Sequence, residues 1–325
     1  MRNPNCLHNI FTAALLIAAS AAPALAQNYP VRPIRFLVPF APGGGNDFVA
    51  RLVAQKLSAS LDQQVIVDNR AAAGGILATD MVAKAPPDGY TVLLGFVGPM
   101  AISPGLSKVP YDPLKDFTTV SLLARSYQML VVHPSLPARD IKQLVALAKA
   151  RPNDLNYASG GAGSPLHLAG ELFKLAAGVQ LAHIPYKGSS PAATAVLSGE
   201  AQVLFGGVAS SLPLVKAAKL RALGVTSPVR LGAAPKVPTF AEAGLAAAEL
   251  ASWYGLVAPP ALPDAITRKL NTEIVKIVQA PDYRTHMVNQ GLEAAMSTPE
   301  EFARILAADV EKWAKVIKSA GIKAE

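Results

Sequence analysis

Cysteine is almost missing from this chain: a single residue, Cys6, in 325. No intramolecular disulfide can form, and no cysteine-based metal site can be built. Aromatic residues make up 6% and charged residues 16%, against about 25% charged in an average soluble protein. With 51% apolar residues, this composition excludes a disordered or coiled-coil chain. At about 150 residues per domain, the length suits two domains. Like charges nowhere gather into a polybasic run, so the net charge of +8 speaks for solubility or a mild attraction for small anions, not for nucleic acid.

Several signatures of catalysis are absent too. There is no Gly-x-x-x-x-Gly-Lys-[Ser/Thr], and Gly161-Ala162-Gly163 lacks the third glycine of the dinucleotide fingerprint. No Gly-x-Ser-x-Gly elbow occurs. His133, His167, His183 and His286 do not pair at metal-ligand spacing with one another or with carboxylates, so neither metal nor cofactor is expected. Three of these histidines are read as structural, with His167 the one placed to face a cleft.

One long apolar run exists, at residues 10–22. Arg2 precedes it and Ala24-Leu25-Ala26 follows, the pattern of an export signal cleaved near Ala26. Ser20 and Pro23 interrupt the run, which falls short of the roughly 20 clean apolar residues a membrane span needs. Cys6 leaves with the signal.

The mature chain repeats one pattern. Residues 34–40 form a strand-length apolar run followed by Gly43-Gly44-Gly45-Asn46-Asp47, then a helical period through Phe48, Leu52, Val53, Leu57 and Leu61, with Asn46 or Asp47 as N-cap. Strands at 65–67 and 90–95 flank a helix from 76 to 85. The order returns with a strand at 155–158, the loop Ser159-Gly160-Gly161-Ala162-Gly163-Ser164, and a helix capped by Ser164 with Pro165 at its first position. Strands at 181–186, 202–206 and 220–226 complete the second unit. Two βαβαβ units imply two similar α/β domains with mainly parallel sheets.

Segments 131–137 and 256–263 also match, each a strand carrying the chain into the opposite domain. The expected division is 27–125 plus 236–325 against 126–235. Thr298-Pro299-Glu300-Glu301 is a capping box that opens a final helix with Phe302, Ile305, Leu306, Trp313, Val316 and Ile317 on one face.

Glycine loops at strand ends let backbone N–H groups and helix starts hold an anion without arginine. Lys187 is a candidate contact for a distal acid group. A hydrolase using Ser164 and His167 is the alternative from another class, and a ligand-free interaction module is a third.

Tyr29-Pro-x-Arg-Pro-Ile-Arg, Pro39-Phe40-Ala-Pro-Gly43-Gly44, Asn69-Arg70 with Gly74-Gly75, Pro87-Asp88-Gly89-Tyr90-Thr91, residues 111–117, Tyr157-Ala-Ser-Gly160, Pro185-Tyr186-Lys187-Gly188 and residues 220–226 carry a resemblance. In order and spacing they resemble the substrate-binding receptors of tripartite tricarboxylate transporters, the Bug family. The resemblance implies a periplasmic two-domain Venus-flytrap protein of type II-like architecture. It implies a monomer that binds a small carboxylate and serves membrane transporter subunits or a sensor. By position it implies a ligand site of Phe40, Pro42, Gly44, Gly45, Asn46 and Asp47 in the first loop, and Ser159, Gly160, Gly161, Ala162, Gly163, Ser164 and His167 in the second. Val97, Gly98 and Ala101, with Gly206 and Gly207, would form the other walls. Residues 70–73 read Arg-Ala-Ala-Ala where Arg-Pro-Gly-Ala is usual, and Gly206-Gly207 replaces a position often acidic in relatives that bind amino acids. The second departure favours citrate, a dicarboxylate or a nicotinate-like aromatic acid.

Overall fold

The computed structural model describes residues 29–322; the export signal expected from sequence and Cys6 lie outside the described residues. In chain order the elements of the first half are β1 (Ile34–Val38), α1 (Gly45–Leu61), β2 (Val65–Asn69), α2 (Ile76–Ala83), β3 (Thr91–Phe96), a π-turn (Gly98–Ile102) running into α3 (Ser103–Leu106), and β4 (Thr118–Val132). The middle contains α4 (Ile141–Ala150), β5 (Asn156–Ser159), α5 (Pro165–Ala177), β6 (Ala182–Pro185), α6 (Ser189–Leu197), β7 (Val203–Gly207), α7 (Val208–Lys216) and β8 (Arg221–Val225). The last part holds β9 (Ala251–Ala258), α8 (Asp264–Gln279), α9 (Pro281–Asn289), β10 (Glu293–Ala294) and α10 (Pro299–Ala320).

Two lobes follow from two parallel ladders. β2-β1-β3 builds the first and β6-β5-β7 the second. Between them run β9 and β4, both antiparallel to their neighbours, giving the order β2-β1-β3-β9-β4-β7-β5-β6. The protein is thus an α/β molecule of Venus-flytrap type. β4 begins thirteen residues earlier than the segment 131–137 read from sequence, because its first half, Thr-Thr-Val-Ser-Leu-Leu-Ala-Arg-Ser, mixes polar and apolar residues although nearly all of it is buried. That half pairs with β9 and the second half with β7 and β8.

Alternation along β4 divides the packing. Leu130 and Val132 belong to a core cluster that continues from the first lobe through Phe173 and Phe205. Met129 and Val131 point to a second cluster with Leu204, Val208 and Leu212. Residues 239–250 pack with the second lobe: Thr239 bridges Val225, Phe240 sits 6.0 Å from Phe173 between ring centres, and Leu250 N–H donates to Thr226 O at 3.2 Å.

The helix ends agree with the sequence reading at two sites. Ser164 Oγ accepts from His167 N–H at 3.2 Å ahead of Pro165, and Thr298 and Glu301 form the capping box of α10. At α1 the reading is corrected. Gly44 is the N-cap, and Asn46 and Asp47 lie inside the first turn.

Helix α10 closes the first lobe. Trp313 is buried, and Phe302 packs edge-on against Trp253 of β9 at 5.1 Å between ring centres. The Trp253 indole donates to Asp309 Oδ2 at 2.7 Å, and burial pushes that carboxyl above the ordinary aspartate range. Gly255 lies beneath the same phenyl ring: a Cβ there would sit 2.2 Å from Phe302 Cζ. Gly255→Ala is therefore expected to destabilise the protein by about 1–3 kcal/mol, as overpacking does. Urea unfolding followed by circular dichroism measures this, and adding Phe302→Leu to Gly255→Ala should recover part of the loss.

Candidate functional site

The first glycine loop leaves β1 and enters α1 through Gly43, at φ +90°, and Gly44, at φ −91°. The opening N–H groups of a helix have no intrahelical acceptor, so Gly45 and Asn46 present donors at the positive end of α1. Behind them Asp47, 6% exposed, gathers the loop. Its Oδ2 accepts from Gly43 N–H at 3.1 Å and Arg51 Nε at 2.9 Å, and its Oδ1 accepts from Asn69 Nδ2 at 3.0 Å. The same Asn69 amide donates to Phe40 O at 3.0 Å. Burial alone would raise the Asp47 carboxyl, but these donors and the Arg51 charge outweigh it and hold the group below the ordinary range. Asn69, at the end of β2, ties the loop to the neighbouring strand, a role its place in the sequence motif does not reveal.

The second loop joins β5 to α5 with Gly161 at φ +114° and Gly163 at φ +72°. Three of its amides are already engaged. Gly161 N–H donates to Ser159 Oγ at 3.2 Å, Gly163 N–H to His167 Nδ1 at 3.2 Å, and Ser164 N–H to Gly161 O at 3.1 Å. Ser164 Oγ serves the cap, and the His167 ring accepts from Gly163 N–H. His167 is buried and stacks on His183, ring centres 4.1 Å apart at 11°. His183 Nε2 lies 2.6 Å from Ser159 Oγ and the ring stacks on Tyr157 at 4.8 Å. Beneath them Glu171 accepts from Tyr157 Oη at 2.6 Å and from Lys174 at 2.8 and 3.0 Å, and its Oε1 is 3.9 Å from His167 Nε2. Burial would raise the Glu171 carboxyl, yet Lys174 and Tyr157 keep it below its ordinary value.

The walls come together as follows. A Cβ on Gly98, in the π-turn, would lie 3.6 Å from Pro165 Cδ, and one on Gly163 would lie 2.8 Å from Leu106 Cδ1, so the second loop rests on the turn that holds Val97, Gly98 and Ala101. A Cβ on Gly45 would lie 3.9 Å from that of Ala209, which brings the start of α1 to the start of α7. Gly207 caps α7 and donates to Ser189 Oγ at 3.1 Å. Gly206 is glycine for packing, since a Cβ would sit 2.3 Å from Ser211 Oγ. Lys187 is exposed on the loop after β6.

A cavity of about 490 Å³ opens between α1, α7 and α9. Gly44, Gly45 and Asp47 line it with Gly43, Phe48 and Arg51, facing Ala209, Ser210, His286 and Gln290. Its lining omits Phe40, Pro42, Asn46, Val97, Gly98, Ala101, the second loop with His167, Gly206, Gly207 and Lys187. Ser210, His286 and Gln290 carried no signal in the sequence, because α7 and α9 both follow the glycine loop by more than 150 residues; His286, read there as structural, is exposed at the cavity. Asn46 Nδ2 is buried with no hydrogen-bond partner.

A family model described as "Tripartite tricarboxylate transporter family receptor" matches residues 49–322. Protein BugT of Bordetella pertussis is 37% identical over 308 residues, covering 94% of both chains. Among solved structures, the Rhodopseudomonas palustris protein Rpa4515 with adipate superposes with a TM-score of 0.88 at 36% identity, covering 91% of this chain and 100% of that one. MatC from the same organism with bound malate gives 0.83 at 30% identity, covering 89% and 100%.

Asp47 makes stability depend on pH. Its folded-state pKa lies below the unfolded one, so its contribution is complete above the ordinary carboxylate range and is lost as pH falls through the folded value. Asp47→Ala should lower stability near neutrality by about 1–3 kcal/mol through the orphaned donors. In urea titrations the gap from wild type should close on acidification.

Proposed function

Because the chain belongs to the tripartite tricarboxylate transporter receptor family, we propose that it is a periplasmic receptor that captures a small organic carboxylate between its lobes. It then presents the ligand to the membrane subunits of a transporter or to a sensor. The observation that carries this reading is the meeting of two helix starts from opposite lobes, α1 at Gly44 and Gly45 and α7 at Ala209 and Ser210, beside one cavity. Free first-turn N–H groups and the positive helix ends favour an anion there. The unpartnered Asn46 Nδ2 adds a donor at the first turn.

The two structural relatives carry adipate and malate, and we extend that dicarboxylate class to this cleft. An amine-bearing ligand is disfavoured, since Gly206-Gly207 supplies no negative group and the Asp47 carboxylate is occupied by Gly43, Arg51 and Asn69. The second loop, residues 159–164 with His167, serves as the wall that closes on the ligand. Residues 1–26 act as the cleaved export signal. The lobes divide into 29–125 with 251–322 and 126–250, the boundary moving from 235 to 250 because residues 239–250 pack on β8 and α5. The receptor works as a monomer without resident cofactor or nucleic acid.

Thermal-shift screening against mono-, di- and tricarboxylates, amino acids and sugars tests the reading. A true ligand at 100 times its Kd should add about 2.7 kcal/mol of stability. Gly44→Val is the clean loss-of-binding variant: its φ of −91° suits any residue and a Cβ meets nothing within 4 Å, so the fold should survive while the ligand's approach is blocked. Gly161, at φ +114°, would be strained by the same change.

A substitution at Gly207 examines the charge argument. Its φ is −61° and the nearest atoms to an added Cβ are 3.7 Å away, so Gly207→Asp should fold. Like-charge repulsion should weaken dicarboxylate binding by about tenfold or more in calorimetry. Unchanged affinity would place the ligand away from α7.

A further inference from the structure

The two glycine loops are held from behind by different chemistry. The first is pinned by a carboxylate and a primary amide, Asp47 and Asn69. The second is pinned by two imidazoles and a hydroxyl. We infer that His167, supported by His183, is a positioning residue that makes the second loop sensitive to protons: the loop keeps its ligand-ready shape only while His167 Nδ1 carries no proton. This rests on the carboxylate-receptor reading above for its consequence in binding, but the geometry stands apart from it.

Gly163 N–H donates to His167 Nδ1 at 3.2 Å, which requires a lone pair on that nitrogen. The ring therefore carries its one proton on Nε2, on the side of Glu171 Oε1 at 3.9 Å. A second proton can go only to Nδ1, where it would set N–H against N–H and release the Gly163 amide. Gly163, at φ +72°, is the residue that turns the loop into α5, and it packs on Ser103 and Leu106 of the opposite lobe. His183 continues the same support. Its Nε2 holds Ser159 Oγ at 2.6 Å, and that oxygen holds Gly161 N–H.

His183 from β6 stacks on the His167 ring and Glu171 of its own helix lies behind it; these two are held in turn by Tyr157 from β5 and by Lys174. A positive ring would meet the Glu171 carboxylate behind it, so little of the added charge reaches an anion in the cleft. The broken Gly163 contact then decides the sign, and capture weakens in acid. Histidine is the side chain whose ordinary titration lies in the range where this would operate. The first loop has no such response, because Asp47 stays ionised there and Asn69 does not titrate.

Isothermal titration with adipate and with malate, at about pH 8 and about pH 6, reads the binding consequence for wild type and His167→Asn. Asparagine places an oxygen acceptor near the Nδ1 position and cannot be protonated. Wild type should bind about tenfold more weakly at the lower pH, the size of one lost buried hydrogen bond. His167→Asn should keep most of the affinity at the higher pH and lose the pH dependence, while His167→Leu, without an acceptor, should bind weakly at both. Protonation of the ligand is common to all three proteins, so the difference between them isolates the residue. Parallel pH profiles for wild type and His167→Asn would overturn the inference.

A second arm needs no ligand. Amide hydrogen exchange on the free protein should show protection at Gly163 falling with acid in wild type and holding in His167→Asn, with Gly43 unchanged in both. If no acid binds wild type at the higher pH, the receptor reading falls while the exchange arm still decides the proton link. Equal protection across pH in wild type would refute it.

Discussion

The backbone crosses between the lobes inside a sheet, away from water, and every polar group at the crossing must find a protein partner. The solution is a single hydrogen-bonded knot. Gln128 N–H donates to Thr226 Oγ1 at 2.9 Å, Thr226 N–H returns to Gln128 O at 2.9 Å, and the threonine hydroxyl reaches Leu250 O at 2.7 Å. Gln128 Nε2 donates to Ser252 Oγ at 3.2 Å, and all three polar side chains are buried. Losing one member would strand others at about 1–3 kcal/mol each. Because the knot lies where β4 exchanges β9 for β7 and β8, it fixes the relation between the two ladders and hence which helix starts face each other.

From that relation the site follows. α1 and α7 meet across one cavity because their strands, β1 and β7, approach the crossing strands from opposite sides. The core does not stop at the lobe boundary. It runs from Phe36 through Leu130 to Phe173 and Phe205, so the halves share packing as well as backbone.

Local pattern carried much of this. Two strand–glycine loop–helix units, the Ser164 cap and the capping box at Thr298 are short-range signals, and each lies where its residues place it. The first half of β4 was hidden because Thr118, Ser121 and Arg125 break its apolar run, and only pairing with β9, joined by β10 at Ala124 and Arg125, makes it a strand. The N-cap of α1 passed from a polar side chain to Gly44 because Asp47 is drawn away by Arg51 and Asn69. Most telling are the loop amides. Glycine in sequence announces available N–H groups, yet Gly43, Gly161 and Gly163 spend theirs on Asp47, Ser159 and His167. Which donors remain is a property of the assembled loop, and the support from His183 and Asn69 comes from neighbouring strands that no local reading joins to it.

Both tryptophans of the chain, Trp253 and Trp313, are buried, and α10 holds one and packs on the other. The molecule's tryptophan emission, excited where tyrosine does not absorb, therefore originates in one half only. An observer who follows that light during heating would record the dissolution of the lobe that contains α10, and would see the other half only through its influence on the first. Any loosening confined to β5, β6 and β7 would pass dark, unless a fluorophore were placed there by design.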